Sequence, residues 1–195
     1  VVGQLTVESL GAGFATTERR ASSNYGIGKD GRIGMYVEEK DRSWCSSSRD
    51  NDNRAITIEV ASDSKYPYAV NDAAYKSLIN LLVDICKRND IKKLLWKNDK
   101  SLIGQVSKQN MTVHRWFANT ECPGEYLYSR YGQIADDVNA RLCMGDSSVD
   151  DTKPEETSSY TKIVGDSVAT AEQMIARLKK VSPNVPKSVI DMIPY

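Results

Sequence analysis

Apolar positions along the chain follow two rhythms, and the change from one to the other marks its elements. A helical spacing comes first: Thr6 is a good N-cap for a short helix through Val7, Leu10 and Phe14, which the polar "TTERR" ends. In "SNYGIGKDGRIGMYVEE" the rhythm becomes alternating. Tyr25, Ile27, Ile33, Met35 and Val37 flank a Lys29-Asp30-Gly31 turn, which predicts a hairpin with strands near 24–28 and 32–37. After the polar loop "KDRSWCSSSRDNDNR", the run "AITIEVA" (55–61) is apolar and β-branched except for Glu59, as in a central strand buried on both faces. From the cap Asn71, the residues Tyr75, Leu78, Ile79, Leu82, Val83 and Cys86 repeat at i, i+3, i+4 and i+7, giving an amphipathic helix to about Arg88.

The second half is less regular. "KKLLW" (92–96) and "NMTV" (110–113) read as short strands, with a brief helix near 101–106 between them. Beyond Pro123-Gly124, the residues Leu127, Tyr131, Ile134, Val138 and Leu142 mark another amphipathic helix. Strands interleaved with helices predict an α/β fold, a central mixed β-sheet flanked by helices. The polar stretch 145–166 reads as a linker, and Val168, Ala171, Met174, Ile175 and Leu178 form a helical stripe within 167–195. A single helix cannot make its own core, so 167–195 either packs on the domain at 1–144 or begins a second one.

Charge and composition narrow the chemistry. The 26 basic and 26 acidic residues cancel, which removes the cationic field that non-specific nucleic-acid binding uses. No nucleic-acid partner is expected. No apolar run approaches the roughly 18 residues of a membrane helix, so no membrane insertion is expected either. No signal peptide is visible in the first residues, which also lack an initiator methionine. The cysteines Cys45, Cys86, Cys122 and Cys143 form no CxxC pair and no disulfide framework; Cys86 falls on a helix's apolar face and reads as core.

The candidate chemistry lies in "TVHRWFANTECPG". His114 is the only histidine among 195 residues, and Cys122 follows eight positions later, directly before Pro-Gly. An imidazole and a thiolate can supply two zinc ligands if the loop between them folds back, whereas a catalytic zinc takes three protein ligands and an open position. Spacing alone also allows a chance pair, with both residues structural. Glu59 needs a reason to lie in an apolar strand. Acid/base work and a structural pairing with Arg54 are both open.

"MTVHRWFANTECPGEYL", with "SSNYGIGKDGRIGMYVEE" and "RAITIEVA", resembles the zinc-dependent N-acetylmuramoyl-L-alanine amidases of the amidase-2 type. These include phage endolysins and bacterial autolysins, and they share a fold with peptidoglycan recognition proteins. The resemblance covers roughly residues 1–143. It implies a peptidoglycan (muramyl peptide) substrate and a Zn2+ ion held by two histidines and a cysteine. The reaction would cleave the amide between the lactyl group of N-acetylmuramic acid and L-alanine, at the bacterial cell wall.

Residue by residue, the resemblance gives His114 and Cys122 as metal ligands. It gives Tyr25 as the tyrosine that orients the scissile carbonyl or water, Glu59 as acid/base, and Thr120 where phage members often carry lysine. Thr120 can donate only a neutral hydrogen bond to an oxyanion, yet active members of the recognition-protein branch also use threonine there. The family's Trp-His-Ala element reads Trp44-Cys45-Ser46. Trp44 and Arg115 are the candidate substrate contacts, with a buried indole and plain strand filler as the alternative readings of Trp44 and Tyr25.

The first zinc histidine has no counterpart. The expectation is a domain lacking its first strand, with weak or absent zinc and little amidase activity, and a non-catalytic peptidoglycan-binding module of the same fold is the alternative. The C-terminal segment resembles the lead-in to a glucosaminidase domain of two-domain cell-wall hydrolases.

Overall fold

The computed structural model describes residues 3–15 and 17–144 and, as backbone, 160–164, 167–169 and 189–194. Helix α1 (Val7–Ala12) starts where expected, the Thr6 hydroxyl accepting from the Ser9 amide. Strands β1 (Tyr25–Ile27) and β2 (Ile33–Met35) form the hairpin, pairing antiparallel with Gly26 opposite Gly34. Its turn closes through the Gly31 amide on the Gly28 carbonyl, with Gly31 at φ +79°, a backbone region that favours glycine.

Strand β3 (Ala55–Val60) runs parallel to β1 and is buried along its whole length. A short helix α2 (Arg49–Asp52), capped by the Ser48 hydroxyl, lies within the expected polar loop. Helix α3 (Asp72–Arg88) has Asn71 as its N-cap, accepting from the Ala74 amide. The expected helix beyond Pro123-Gly124 is two, α4 (Glu125–Tyr128) and α5 (Tyr131–Met144). The expected helix near 101–106 is a single 3-10 turn at Lys100–Leu102.

"NMTV" contains the short strand β4 (Met111–Thr112), but "KKLLW" is not a strand. Its backbone is held mostly by side-chain amides instead: Leu94 exchanges two hydrogen bonds with Asn139, the Leu95 amide donates to the Asn110 side chain, and the Asn110 side chain donates to the Lys93 carbonyl, while one backbone bond runs from the Asn110 amide to the Leu95 carbonyl at 3.2 Å. Alternating apolarity cannot reveal a segment held mainly by side chains rather than by a ladder to a neighbouring strand.

The expected linker and C-terminal helix hold β5 (Tyr160–Val164), β6 (Ser167–Ala169) and β7 (Val189–Pro194). The first residues of the predicted helical stripe are thus extended, and its remainder, from 170, lies outside the described residues. The β-branched pairs Ile163-Val164 and Val189-Ile190 favour extended backbone, a local preference that a helical-stripe reading passes over.

The mixed sheet has the order β4-β7-β3-β1-β2-β5-β6, with β1, β2 and β3 at its heart. One face carries Tyr25, Ile27, Ile33, Met35, Ile56, Ile58 and Val60, in one core cluster with Leu78, Leu81, Leu82 and Ile85 of α3 and Ile134 and Val138 of α5. Each such fully buried aliphatic side chain contributes roughly 1.5–3 kcal/mol relative to exposure. Cys86 is in this core too, and burial pushes its thiol up to about 12.

Candidate functional site

Register separates the candidate residues by face. Gly26 lies opposite Glu59 and Tyr25 opposite Ile58, and successive strand residues point to opposite sides, so Glu59 and Tyr25 project from different faces of the sheet. The Tyr25 hydroxyl donates to Glu39 Oε1 at 2.8 Å, and Arg88 Nη2 donates to that hydroxyl at 3.3 Å. Arg88 also pairs with Glu39 at 2.8 Å. Burial and the Glu39 carboxylate push the Tyr25 phenol well above its ordinary pKa. Burial would raise the Glu39 carboxyl as well, but the Arg88 guanidinium prevails and holds it below the ordinary value. Tyr25 is therefore a core residue that joins the hairpin to the end of α3.

The opposite face is built by loops. Asn24 and Thr57 exchange hydrogen bonds at 3.0 Å, and Thr57 Oγ1 meets Ser43 Oγ at 2.7 Å, which anchors the start of the 43–48 loop on β3. The buried Asp52 carboxylate then gathers that loop, accepting from the Cys45 amide at 3.3 Å, the Ser46 amide at 2.9 Å and the Ser46 hydroxyl at 2.7 Å. Ser47 follows at φ +62°, an uncommon conformation for a non-glycine residue, and its hydroxyl lies 3.0 Å from His114 Nε2. Helix α2 also contacts β4, the Thr112 hydroxyl donating to Asn51 at 3.2 Å. His114 comes directly after β4 and the single extended residue Val113, on a 3-10 turn His114–Trp116.

His114 is half-buried, and burial lowers its imidazole pKa against the opposing pull of Asp52, which favours the neutral form. Cys45 Sγ and Glu59 Oε1 are 3.9 Å apart, so the loop thiol faces the strand carboxylate. Trp44 is 50% exposed, which removes the buried-indole reading, and the Arg42 guanidinium lies 5.4 Å from its ring centroid.

Cys122 is buried on a loop that folds back toward His114. The Arg115 amide donates to the Cys122 carbonyl at 3.1 Å, joining the two ends of the segment. The Arg115 side chain reinforces this closure, Nε donating to the Cys122 carbonyl at 3.3 Å and Nη2 to the Glu121 carbonyl at 2.6 Å. Its guanidinium carbon also sits 4.3 Å from the Tyr128 ring centroid. Arg115, expected as a substrate contact, fastens its own loop. Thr120 Oγ1 accepts from the Cys122 amide at 3.3 Å, so that hydroxyl shapes the turn before the cysteine.

The structure meets the condition the sequence left open, folding the His114–Cys122 segment back on itself, and it puts Glu59 on the loop-covered face and Tyr25 on the other. The sequence reading missed Ser47 and Asp52. A buried aspartate flanked by serines on a four-residue helix has no periodic signature, and only the capping residue Ser48 hints that a helix begins there.

A catalytic zinc takes three protein donors and a water. Among the described residues no three His, Cys, Asp or Glu side chains are grouped so that they could hold an ion. His114 and Cys122 supply two donor types of the family set, and with one histidine in the chain the two-histidine set implied by the resemblance does not fit these residues.

No curated protein and no solved structure matches the chain. The model of the amidase-2 family, N-acetylmuramoyl-L-alanine amidase, matches residues 4–125, which takes in α1, the hairpin, β3, α3 and the whole His114–Cys122 loop. With most of its length so matched and a mixed sheet flanked by helices, the chain belongs to the N-acetylmuramoyl-L-alanine amidase family, whose members act on peptidoglycan.

Proposed function

We propose that this domain acts at the bacterial cell wall on the amide between the lactyl group of N-acetylmuramic acid and L-alanine, with the loop-covered face of the sheet toward the substrate. The observation that carries this reading is the family match over residues 4–125 together with the closure that brings His114 and Cys122 onto one loop. In it, the exposed Trp44 ring meets the substrate, Glu59 beside Cys45 is the carboxylate nearest the reacting amide, and Thr120 holds the turn that presents Cys122. Arg115 positions Cys122 and is left out of substrate contact.

A second reading is a binding module that holds the muramyl peptide without cleaving it. It is favoured by the two-donor set and by the contact of His114 Nε2 with the Ser47 hydroxyl, which engages a nitrogen that a metal would otherwise use.

One pair of measurements separates them. Retention on insoluble peptidoglycan is compared with and without chelator, and release of free L-alanine amine from muropeptide is followed with zinc added. The hydrolase reading expects amine release that Cys122→Ala lowers by about a hundredfold or more, the usual scale for losing a group essential to hydrolysis. Retention that ignores chelator, with no amine released, would reject it in favour of the module.

A further inference from the structure

The described residues with large apolar side chains left exposed are Trp44, Tyr66 and Met144. Tyr66 is the most exposed, at 73%, and the readings above give it no role. It sits on the loop that follows β3. That loop is well held: the Asp63 amide donates to the Ala69 carbonyl at 2.8 Å, the Tyr68 amide to the Lys65 carbonyl at 2.7 Å, and Gln4 to the Asp63 carboxylate at 3.0 Å.

Two contacts fix where this loop lies. The Tyr126 amide donates to the Pro67 carbonyl at 2.9 Å, and a Cβ at Gly124 would fall 2.7 Å from Tyr68 Cβ, so the loop rests against the segment immediately after Cys122. Gly124 at φ +76° is the residue whose missing side chain allows that approach. Tyr68 itself stands at φ +63°, rare for an aromatic residue, of a kind that occurs preferentially at ligand-contacting loops. The Tyr66 and Tyr68 rings meet edge to face, centroids 6.5 Å apart and planes at 74°, which forms a corner.

We propose that Tyr66 and Tyr68 form a sugar-binding subsite beside the Cys122 turn, taking an N-acetylhexosamine ring of the peptidoglycan glycan strand; this rests on the peptidoglycan reading above. The family's amide adjoins an N-acetylmuramoyl sugar, so a pyranose lies within one residue of the bond concerned. A pyranose has an apolar C–H face and a hydroxylated rim. A tyrosine ring with its phenolic hydroxyl matches both, offering a flat apolar surface with a polar edge. A protein partner fits less well, since a stable interface buries about 800 Å² per side and the corner is only two rings wide.

The test uses the whole chain with two probes, insoluble peptidoglycan and soluble N-acetylglucosamine tetramer, each titrated by calorimetry or pull-down. Tyr66→Ala is expected to weaken both interactions about tenfold, the size of one aromatic stacking contact. Tyr66→Phe keeps the ring and is expected to stay within about twofold. Because Tyr66 is exposed, the thermal midpoint of both variants should match that of the unaltered chain. Tyr66→Ala binding both probes as the unaltered chain does would overturn the subsite. Loss of peptidoglycan retention with tetramer binding intact would reject the sugar in favour of the stem peptide. Failure of the peptidoglycan reading itself looks different: the unaltered chain would not be retained at all.

Discussion

The two faces of the sheet are built from different materials. Under α3 and α5 the face is continuous apolar packing, crossed by one partly buried polar group of Tyr25, Glu39 and Arg88 in which every member is hydrogen-bonded. Over β3 the other face is covered by loops whose order comes from side-chain oxygens, Asp52, Ser43, Ser46 and Thr57. The first arrangement makes stability. The second is polar, with Ser47 exposed, Cys45 and His114 partly buried and Glu59 buried beneath them. On the function proposed above, β3 separates a packed side from the side that meets substrate.

The largest expected effect tests the packed face. Leu82→Ala removes a fully buried side chain from the α3 layer and should cost about 2–5 kcal/mol in urea unfolding, while the molecules that remain folded keep their peptidoglycan retention. A loss under about 1 kcal/mol would show that the face is less tightly packed than its burial indicates.

Arg88→Ala should cost less, about 1–3 kcal/mol, because Arg88 keeps 29% of its side-chain surface exposed and its partner Glu39 keeps 13%. It also carries a pH signature. The folded Glu39 carboxyl is held below its ordinary 4.5, so the unfolded chain binds the proton first as pH falls. Stability from this pair is complete above 4.5 and declines as pH falls toward the lowered folded value. Denaturation midpoints between pH 7 and pH 3 should therefore fall less steeply in Arg88→Ala than in the unaltered chain; equal slopes would remove Glu39 from the account.

Trp44→Ala, on the loop-covered side, should change stability by no more than about 0.5 kcal/mol while lowering retention on peptidoglycan. A large stability loss there would mean that the loops contribute to the scaffold after all.

Periodicity made the packed face legible. Asn71, Leu78, Leu82 and Cys86 announce α3, and Asp30-Gly31 between alternating residues announces the hairpin. Alternation also fixes that Tyr25 and Gly26 point oppositely, but not which of the two sides is covered by α3, so it does not decide between the site role the resemblance implies for Tyr25 and the core position the structure shows. The His114–Cys122 segment was legible as chemistry because imidazole and thiolate are rare side chains. Its geometry was not, because Arg115 closes the loop through backbone carbonyls, and carbonyls leave no trace in composition. The "KKLLW" segment hid its structure in the same way, behind the amide side chains of Asn110 and Asn139.

The hairpin glycines also serve a contact beyond the turn. Gly26 and Gly34 pair across β1 and β2, and a Cβ at Gly26 would meet the Tyr36 hydroxyl oxygen at 2.5 Å, one at Gly34 the Tyr36 ring at 3.1 Å, and one at Gly11 of α1 the same ring at 2.9 Å. That hydroxyl donates to the Val7 carbonyl at 2.7 Å. A single phenol thus lies in a bed of three residues without side chains and latches the amino-terminal helix to the sheet. Any redesign of this domain has to treat those four positions together, since a methyl group at Gly26 would meet the phenol oxygen at 2.5 Å and press the ring away from the helix carbonyl it engages.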